Sequence, residues 1–269
     1  MQRGAVRSGD AEIAWSSLGD GSEAIVLIIG LGGWSGDWGT IFPAQLAERF
    51  RVIMFDNRGT GTSSRVPGPY TLPQLARDAA AIIDGVADGR AHVLGISMGG
   101  MIAQHLAFDH PTRLRKLLLL STHCGGSRAV LPRPHVLPAL FPEPGMAAAD
   151  VVRRRFGAIA APGWAERFPE LLEQRVQSAL RAPTPLRTWR AQVDAILGDD
   201  RYERLDEIEA PTLVVHGDAD ALVPYGNAET LARRIPGARL VTLRGVGHLP
   251  MFEAPEETAR VVRAFLEER

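Results

Sequence analysis

Six short apolar runs, each five to seven residues long and separated by segments of helical period, constrain this chain more than any other feature. They are residues 24–29 (AIVLII), 51–55 (RVIMF), 91–96 (AHVLGI), 114–120 (LRKLLLL), 212–216 (TLVVH) and 239–243 (RLVTL). Runs that are apolar throughout belong to strands buried on both faces, as in a parallel sheet covered by helices on each side. The segments between them fit that scheme. Thr71, Leu72, Pro73 and Gln74 form a capping-box pattern with proline in the first turn. From there to about Val86, the residues Leu75, Ala79, Ile82, Ile83 and Val86 fall on one stripe. Helices are also expected over 98–110, 225–235 and 255–268, the last with Val261, Val262, Phe265 and Leu266 apolar. This alternation predicts an α/β fold, a mostly parallel central sheet with helices on both faces. The more polar residues 11–18 read as an edge strand paired with residues 5–8.

The alternation stops between Cys124 and Glu209. That stretch is rich in proline, has helical patches near 147–160, 165–179 and 186–197, and contains no strand-like run. It reads as a helical insertion over 124–209, with residues 1–123 and 210–269 forming the core. Ligands of open α/β sheets bind at the carboxyl ends of the strands. An insertion that leaves one strand end and returns before the next lies over that edge as a cap.

A chain of 269 residues buries about three quarters of its unfolded surface and needs no disulfide or metal to hold it together. The formal net charge of −1 gives no electrostatic reason to expect nucleic acid or an anionic membrane as partner. The single cysteine, Cys124, excludes an internal disulfide and a multi-cysteine zinc site, and reads as a small buried apolar residue. Residues 1–10 contain no apolar signal segment and no run of 18 apolar residues occurs, so the expected location is cytoplasmic. Lys116 is the sole lysine, which reads as a trace of genomic base composition. Nothing in the pattern specifies an oligomeric state.

Residues 95–99 spell Gly-Ile-Ser-Met-Gly, a G-x-S-x-G motif. Alone the motif is weak; here it follows one apolar run and opens a helix. So tight a strand-to-helix turn strains its central residue and needs small neighbours, which Gly95 and Gly99 supply. It projects the Ser97 hydroxyl above the sheet and aims the Met98 N–H at the position where an oxyanion would form. A serine hydroxyl needs a base within hydrogen-bond reach. Of seven histidines, His248 follows the last run in a loop with Gly245 and Gly247, at a strand carboxyl end and so on the edge that carries Ser97. His105 and His110 lie on or after the helix behind the motif. His92 starts a strand, at the wrong edge, and His135 falls in the insertion. His216 ends a strand and reads as structural, while His123, after the fourth run, is placed to border a pocket. The imidazole needs a carboxylate to hold its far nitrogen. Asp220, a few residues past the fifth run, and Asp218 are the candidates.

Five segments, in order, resemble the α/β-hydrolase superfamily, in particular its esterase, enol-lactonase and cofactor-free haloperoxidase group. They are residues 30–33 (GLGG), 56–63 (DNRGTGTS), the motif around Ser97, residues 217–220 (GDAD) with Val223 and Pro224, and residues 247–250 (GHLP). The resemblance spans nearly the whole chain and is weakest across the insertion. It implies an α/β-hydrolase fold, Ser97 as nucleophile, His248 as general base, and Asp220, last in Gly-x-x-Asp, as the acid. Some relatives carry the acid after the preceding strand, where this chain has Leu120, Ser121, Thr122 and His123 and no carboxylate. The resemblance makes the Leu31 N–H the second oxyanion donor beside Met98. Ile29 departs from the histidine usual there, a loop-bracing residue. Asp56 and Arg58 read as a structural turn, Trp38 as an anchor of the oxyanion loop, and Trp34, with His123, as a candidate pocket residue.

These parts imply hydrolysis of a carboxylic ester or lactone through an acyl-enzyme, without metal or organic cofactor. The same parts serve C–C bond hydrolysis, peracid formation and acyl transfer. Haloalkane dehalogenation and epoxide opening need a carboxylate nucleophile and are disfavoured by Ser97. A non-catalytic small-molecule receptor is the alternative of a different class. Phe141, Met146, Phe156, Trp164 and Trp189 give the insertion an apolar character, which suits a small apolar substrate, although such residues more often pack an insertion's own core.

Overall fold

The computed structural model describes residues 1–141 and 143–268; Pro142 and Arg269, within the ranges expected for the insertion and the core, lie outside the described residues. Eight strands form one sheet: β1 (Gln2–Ser8), β2 (Ala11–Leu18), β3 (Ala24–Ile28), β4 (Arg51–Phe55), β5 (Ala91–Ile96), β6 (Leu114–Leu120), β7 (Thr212–Gly217) and β8 (Arg239–Leu243). Their order is β1-β2-β4-β3-β5-β6-β7-β8. From β4 to β8 all neighbours are parallel, and β1 and β2 form an antiparallel hairpin on the edge. All six apolar runs are strands.

Why these runs sit inside is visible in β3. Ala24, Val26 and Ile28 point into one core, and Ile25 and Leu27 into the other. The first core is closed by helices α2 (Leu72–Val86), α3 (Met98–Asp109) and α9 (Gly226–Arg234). The second is closed by α1 (Ile41–Ala47) and α11 (Pro255–Glu267), which contribute Phe42, Leu46, Val262, Phe265 and Leu266. Thr71 caps α2 as its sequence implies, with Oγ accepting the Gln74 N–H at 3.2 Å.

The chain between β6 and β7 contains no strand among its described residues. It folds into α4 (Val136–Leu140), α5 (Ala148–Ile159), α6 (Trp164–Arg167), α7 (Pro169–Arg181) and α8 (Leu186–Leu197). A short helix, α10 (Pro250–Glu253), follows β8 and precedes α11. Among the described residues no helix is long and apolar enough to cross a membrane.

The strand order fixes where a ligand can sit. From β3 the chain moves outward to β4, then returns past β3 to β5, so the order reverses between β3 and β5. The loops leaving adjacent carboxyl ends there diverge and open a crevice. Residues 29–33 leave β3 on one side of it, and Ser97 leaves β5 on the other.

Candidate active site

Ser97 joins β5 to α3 with φ 55° and ψ −123°, a conformation that costs a non-glycine residue about 1–3 kcal/mol. Its surroundings hold it there. Its N–H donates to Leu120 O at 3.0 Å, and its carbonyl accepts from the N–H groups of Gly100 and Met101 and from Thr122 Oγ at 2.7 Å. The turn has no room for side chains on either flank. A Cβ at Gly95 would lie 2.7 Å from Gly100 N, and one at Gly99 would lie 2.8 Å from Ile29 O.

Asp220 and His248 are brought together by the ends of β7 and β8. His248 Nδ1 lies 2.8 Å from Asp220 Oδ2. A carboxylate only accepts, so Nδ1 carries the proton and the neutral ring keeps its lone pair on Nε2. The N–H groups of Leu222 and Val223 bond Asp220 Oδ1 at 2.9 and 2.8 Å. Burial opposes ionisation of Asp220, yet the two histidines beside it outweigh burial and hold its carboxyl at about 2. Asp218 points elsewhere, accepting the Gly245 N–H on the exposed side of the loop. Among the described residues no hydrogen bond joins the Ser97 hydroxyl to His248; such contacts often tighten only around substrate.

His216, read from sequence as structural, is fully buried against the same carboxylate. Its Nε2–H donates to Val223 O at 2.7 Å and lies 3.4 Å from Asp220 Oδ2. His123 borders the group. Its Nδ1 accepts the Gly125 N–H at 3.0 Å, so the proton sits on Nε2. Burial, then the charges of Arg201, His248 and His216, push its pKa down to about 4.

The loop after β3 lies against Ser97: a Cβ on Gly30 would be 3.2 Å from Ser97 Cβ and 3.7 Å from Oγ. Ile29 turns its side chain into the core and its carbonyl accepts from Asn57 Nδ2 at 3.3 Å. Without the usual histidine, the bracing comes from elsewhere. Gly32, at φ 67°, donates its N–H to Gln192 Oε1 at 2.8 Å and accepts from Thr184 Oγ at 2.8 Å. Asp37 accepts the Trp34 N–H and bonds Arg175 at 2.7 Å and Ser178 at 3.1 Å; burial raises its pKa against the pull of Arg175. Asp56 Oδ1 accepts the Ser35 N–H at 2.7 Å, and Arg58 makes a paired contact with Asp78, so both are structural. Trp38 is fully buried and stacks on Phe42, while the Trp34 indole folds back over Gly36 of its own turn.

One residue that sequence reading passed over is central to the geometry. The half-buried carboxylate of Glu253, in α10, accepts N–H groups from both sides of His248. Gly247 donates to Oε2 at 2.8 Å and Leu249 to Oε1 at 3.0 Å. Ala161, past the end of α5, also donates to Oε2, at 2.8 Å. Burial pushes the Glu253 pKa up, opposed by these three N–H groups and by His248. The His248 N–H donates to Ile159 O at 2.9 Å, so the insertion grips this loop twice. The sequence signal was a glutamate five residues past the histidine, in the first turn of a helix.

Among the described residues no group of three or more His, Cys, Asp and Glu is arranged to hold a metal ion. A cleft of about 650 Å³ opens at the other edge of the sheet, beside Glu23, Arg90 and Arg115 at the amino ends of β3, β5 and β6. It cannot serve Ser97. Chemically, the carboxyl edge offers a hydroxyl on a strained turn, an imidazole oriented by a carboxylate, and a loop packed against the serine.

A family model described as alpha/beta hydrolase fold matches residues 23–255. The chain is 34% identical over 245 residues to RutD of Azorhizobium caulinodans, a protein named for carbamate hydrolysis, covering 89% of each chain. It is also 34% identical to a poly(3-hydroxyalkanoate) depolymerase of Ectopseudomonas oleovorans, over 85% of this chain and 80% of that one. The crystal structure of the enol-lactonase of Burkholderia xenovorans is similar with a TM-score of 0.85 at 26% identity, covering 99% of this chain and all of that one. By matched sequence and by superposable architecture, this chain belongs to the α/β-hydrolase family.

Proposed function

We propose that the chain hydrolyses a carboxylic ester or lactone through an acyl-enzyme on Ser97. The observation that carries this reading is the Asp220–His248 bond, which leaves His248 Nε2 free to take a proton at the strand edge where Ser97 sits strained. Ser97 Oγ attacks the acyl carbon while its proton passes to His248 Nε2. The N–H groups of Leu31 and Met98 hold the oxyanion, as donors set for the charged rather than the ground state. Collapse expels the alkoxide, which takes the proton from His248. Water then attacks the acyl-enzyme with His248 again as base, releasing the acid and restoring Ser97. The helices between β6 and β7 act as a cap over this cleft.

A carbamate carbonyl meets the same nucleophile and oxyanion donors, and the likeness to RutD favours including carbamates among the substrates tried. The test is a fluorophosphonate probe together with 4-nitrophenyl butyrate turnover. The probe should label Ser97, and Ser97→Ala should abolish both labelling and turnover. Full activity in that variant, or no labelling of the folded wild type, would overturn the reading.

A further inference from the structure

We propose that Arg155 binds an anion in the cleft, and that the ester or lactone taken by this chain carries a carboxylate on its acyl chain. The inference rests on the hydrolytic reading of Ser97. Other arginines withdrawn from water find an acid: Arg58 pairs with Asp78, Arg175 with Asp37 and Arg201 with Asp199. Arg155, half-buried on α5, has no carboxylate partner among the described residues. Its Nε donates to Leu140 O at 2.7 Å, and both Nη groups are left without a protein acceptor among those residues. Burial pushes its pKa down and no neighbouring acid opposes that. Both Nη groups still reach water, so an arriving anion exchanges that water for a charge-assisted pair instead of competing with a protein acid.

Its position says which anion it can meet. The guanidinium lies over the Trp189 ring, 5.4 Å from the centroid. Trp189 in turn packs on the oxyanion loop, since a Cβ on Gly32 would be 2.9 Å from its Cδ1. Ile159 lies one helical turn along the same face of α5, and its carbonyl takes the His248 N–H. Arg155 therefore spans the roof between the two loops that flank Ser97. With Nε committed to Leu140, the paired Nη groups form the fork that a carboxylate fills with two parallel hydrogen bonds. An ester bound to Ser97 with an extended acyl chain directs its far end toward that roof. The apolar chain lies along the indole, and the terminal charge meets the guanidinium.

The test compares mono-4-nitrophenyl adipate and suberate with 4-nitrophenyl hexanoate and octanoate, which match them in length but lack the carboxylate. In the wild type, kcat/KM for the carboxylated ester of the better-fitting length should exceed its neutral partner by roughly tenfold or more. Arg155→Gln should bring that ratio to about one, and Arg155→Lys should restore part of it because a point charge lacks the fork. The ratio cancels any general loss of fold or activity. A wild-type ratio at or below one for both lengths, or an unchanged ratio in Arg155→Gln, overturns the proposal. Calorimetry of monomethyl adipate binding to Ser97→Ala, with and without Arg155→Gln, decides the matter independently of turnover. Failure of the hydrolytic reading has a different signature: neutral esters stay intact and the fluorophosphonate leaves Ser97 unlabelled.

Discussion

Glu253→Gln isolates the clamp on the His248 loop. In the wild type, Oε2 accepts from Ala161 and Gly247 and Oε1 from Leu249. The amide oxygen of glutamine can keep the first two bonds. Its NH2 then faces the Leu249 N–H, donor against donor, and that bond is lost. Losing a hydrogen bond to a half-buried charged acceptor costs about 1.5–3 kcal/mol. Unfolding entropy for a chain of 269 residues is about 0.6 kcal/mol per degree, so Tm should fall by about 3–5 °C. The catalytic effect comes from position: residues 247 and 249 fix the backbone on either side of the proposed base. Displacing an imidazole by a fraction of an ångström to an ångström lowers kcat by about one to two orders of magnitude, with little change in KM for a small ester. Differential scanning calorimetry and 4-nitrophenyl butyrate kinetics measure both. A variant with wild-type Tm and wild-type kcat would refute the clamp. A rise in KM at constant kcat would assign Glu253 to the cap wall instead of the base.

Asp220→Asn should lower kcat by roughly 10³–10⁴ with little effect on KM, because an amide NH2 facing Nδ1 selects the wrong tautomer of His248; a loss below tenfold would remove Asp220 as the orienting acid. His123 has a folded pKa of about 4 against an ordinary 6.5, so the unfolded chain takes up this proton first. Stability present above pH 6.5 is therefore lost as pH falls toward 4. The 2.5-unit gap (6.5 − 4) corresponds to about 3 kcal/mol. His123→Gln should flatten the profile of Tm against pH in that window, and an unchanged slope would place the acid sensitivity elsewhere. Lys116 Nζ donates to the carbonyls of Phe265, Leu266 and Glu268 at the end of α11. Lys116→Met should cost about 1–2 kcal/mol, or about 2–4 °C in Tm, without changing kcat; an unaltered Tm would show the cap to be idle.

What could be read from the sequence was what the local chain encodes. The six core strands stand out because each is buried on both faces, and Ser97 because strand, glycine and helix meet within five residues. His248 stood out by its place past a strand end; Asp218 and Asp220 share such a place, and only the resemblance to the family's Gly-x-x-Asp chose Asp220. Helices α1 and α4 left no readable period: each is under eight residues and contains a proline, Pro43 and Pro138. Glu253, Gln192 and Arg155 were illegible for another reason. Glu253 meets Ala161 across 92 residues and Gln192 meets Gly32 across 160, and no local pattern records such a meeting. The lone lysine, read as base composition, has a structural post at α11 that only the fold reveals.

These long-range contacts also argue against treating the insertion as a detachable lid. Gly32 is held on both sides by Thr184 and Gln192, Asp37 by Arg175 and Ser178, the His248 N–H by Ile159, and Ala161 by Glu253. Swinging the insertion away as one body would break this whole set and loosen the two loops that carry the proposed oxyanion donor and base. A motion that leaves these contacts intact costs less than one that swings the insertion as a body. The side chains proposed to meet substrate and those that hold the loops share the same helices: Arg155 with Ile159 on α5, and Trp189 with Gln192 on α8. Exchanging the insertion for another sequence should then lower turnover as well as alter specificity, because the proposed roof of the pocket is also the brace of the loops beneath it.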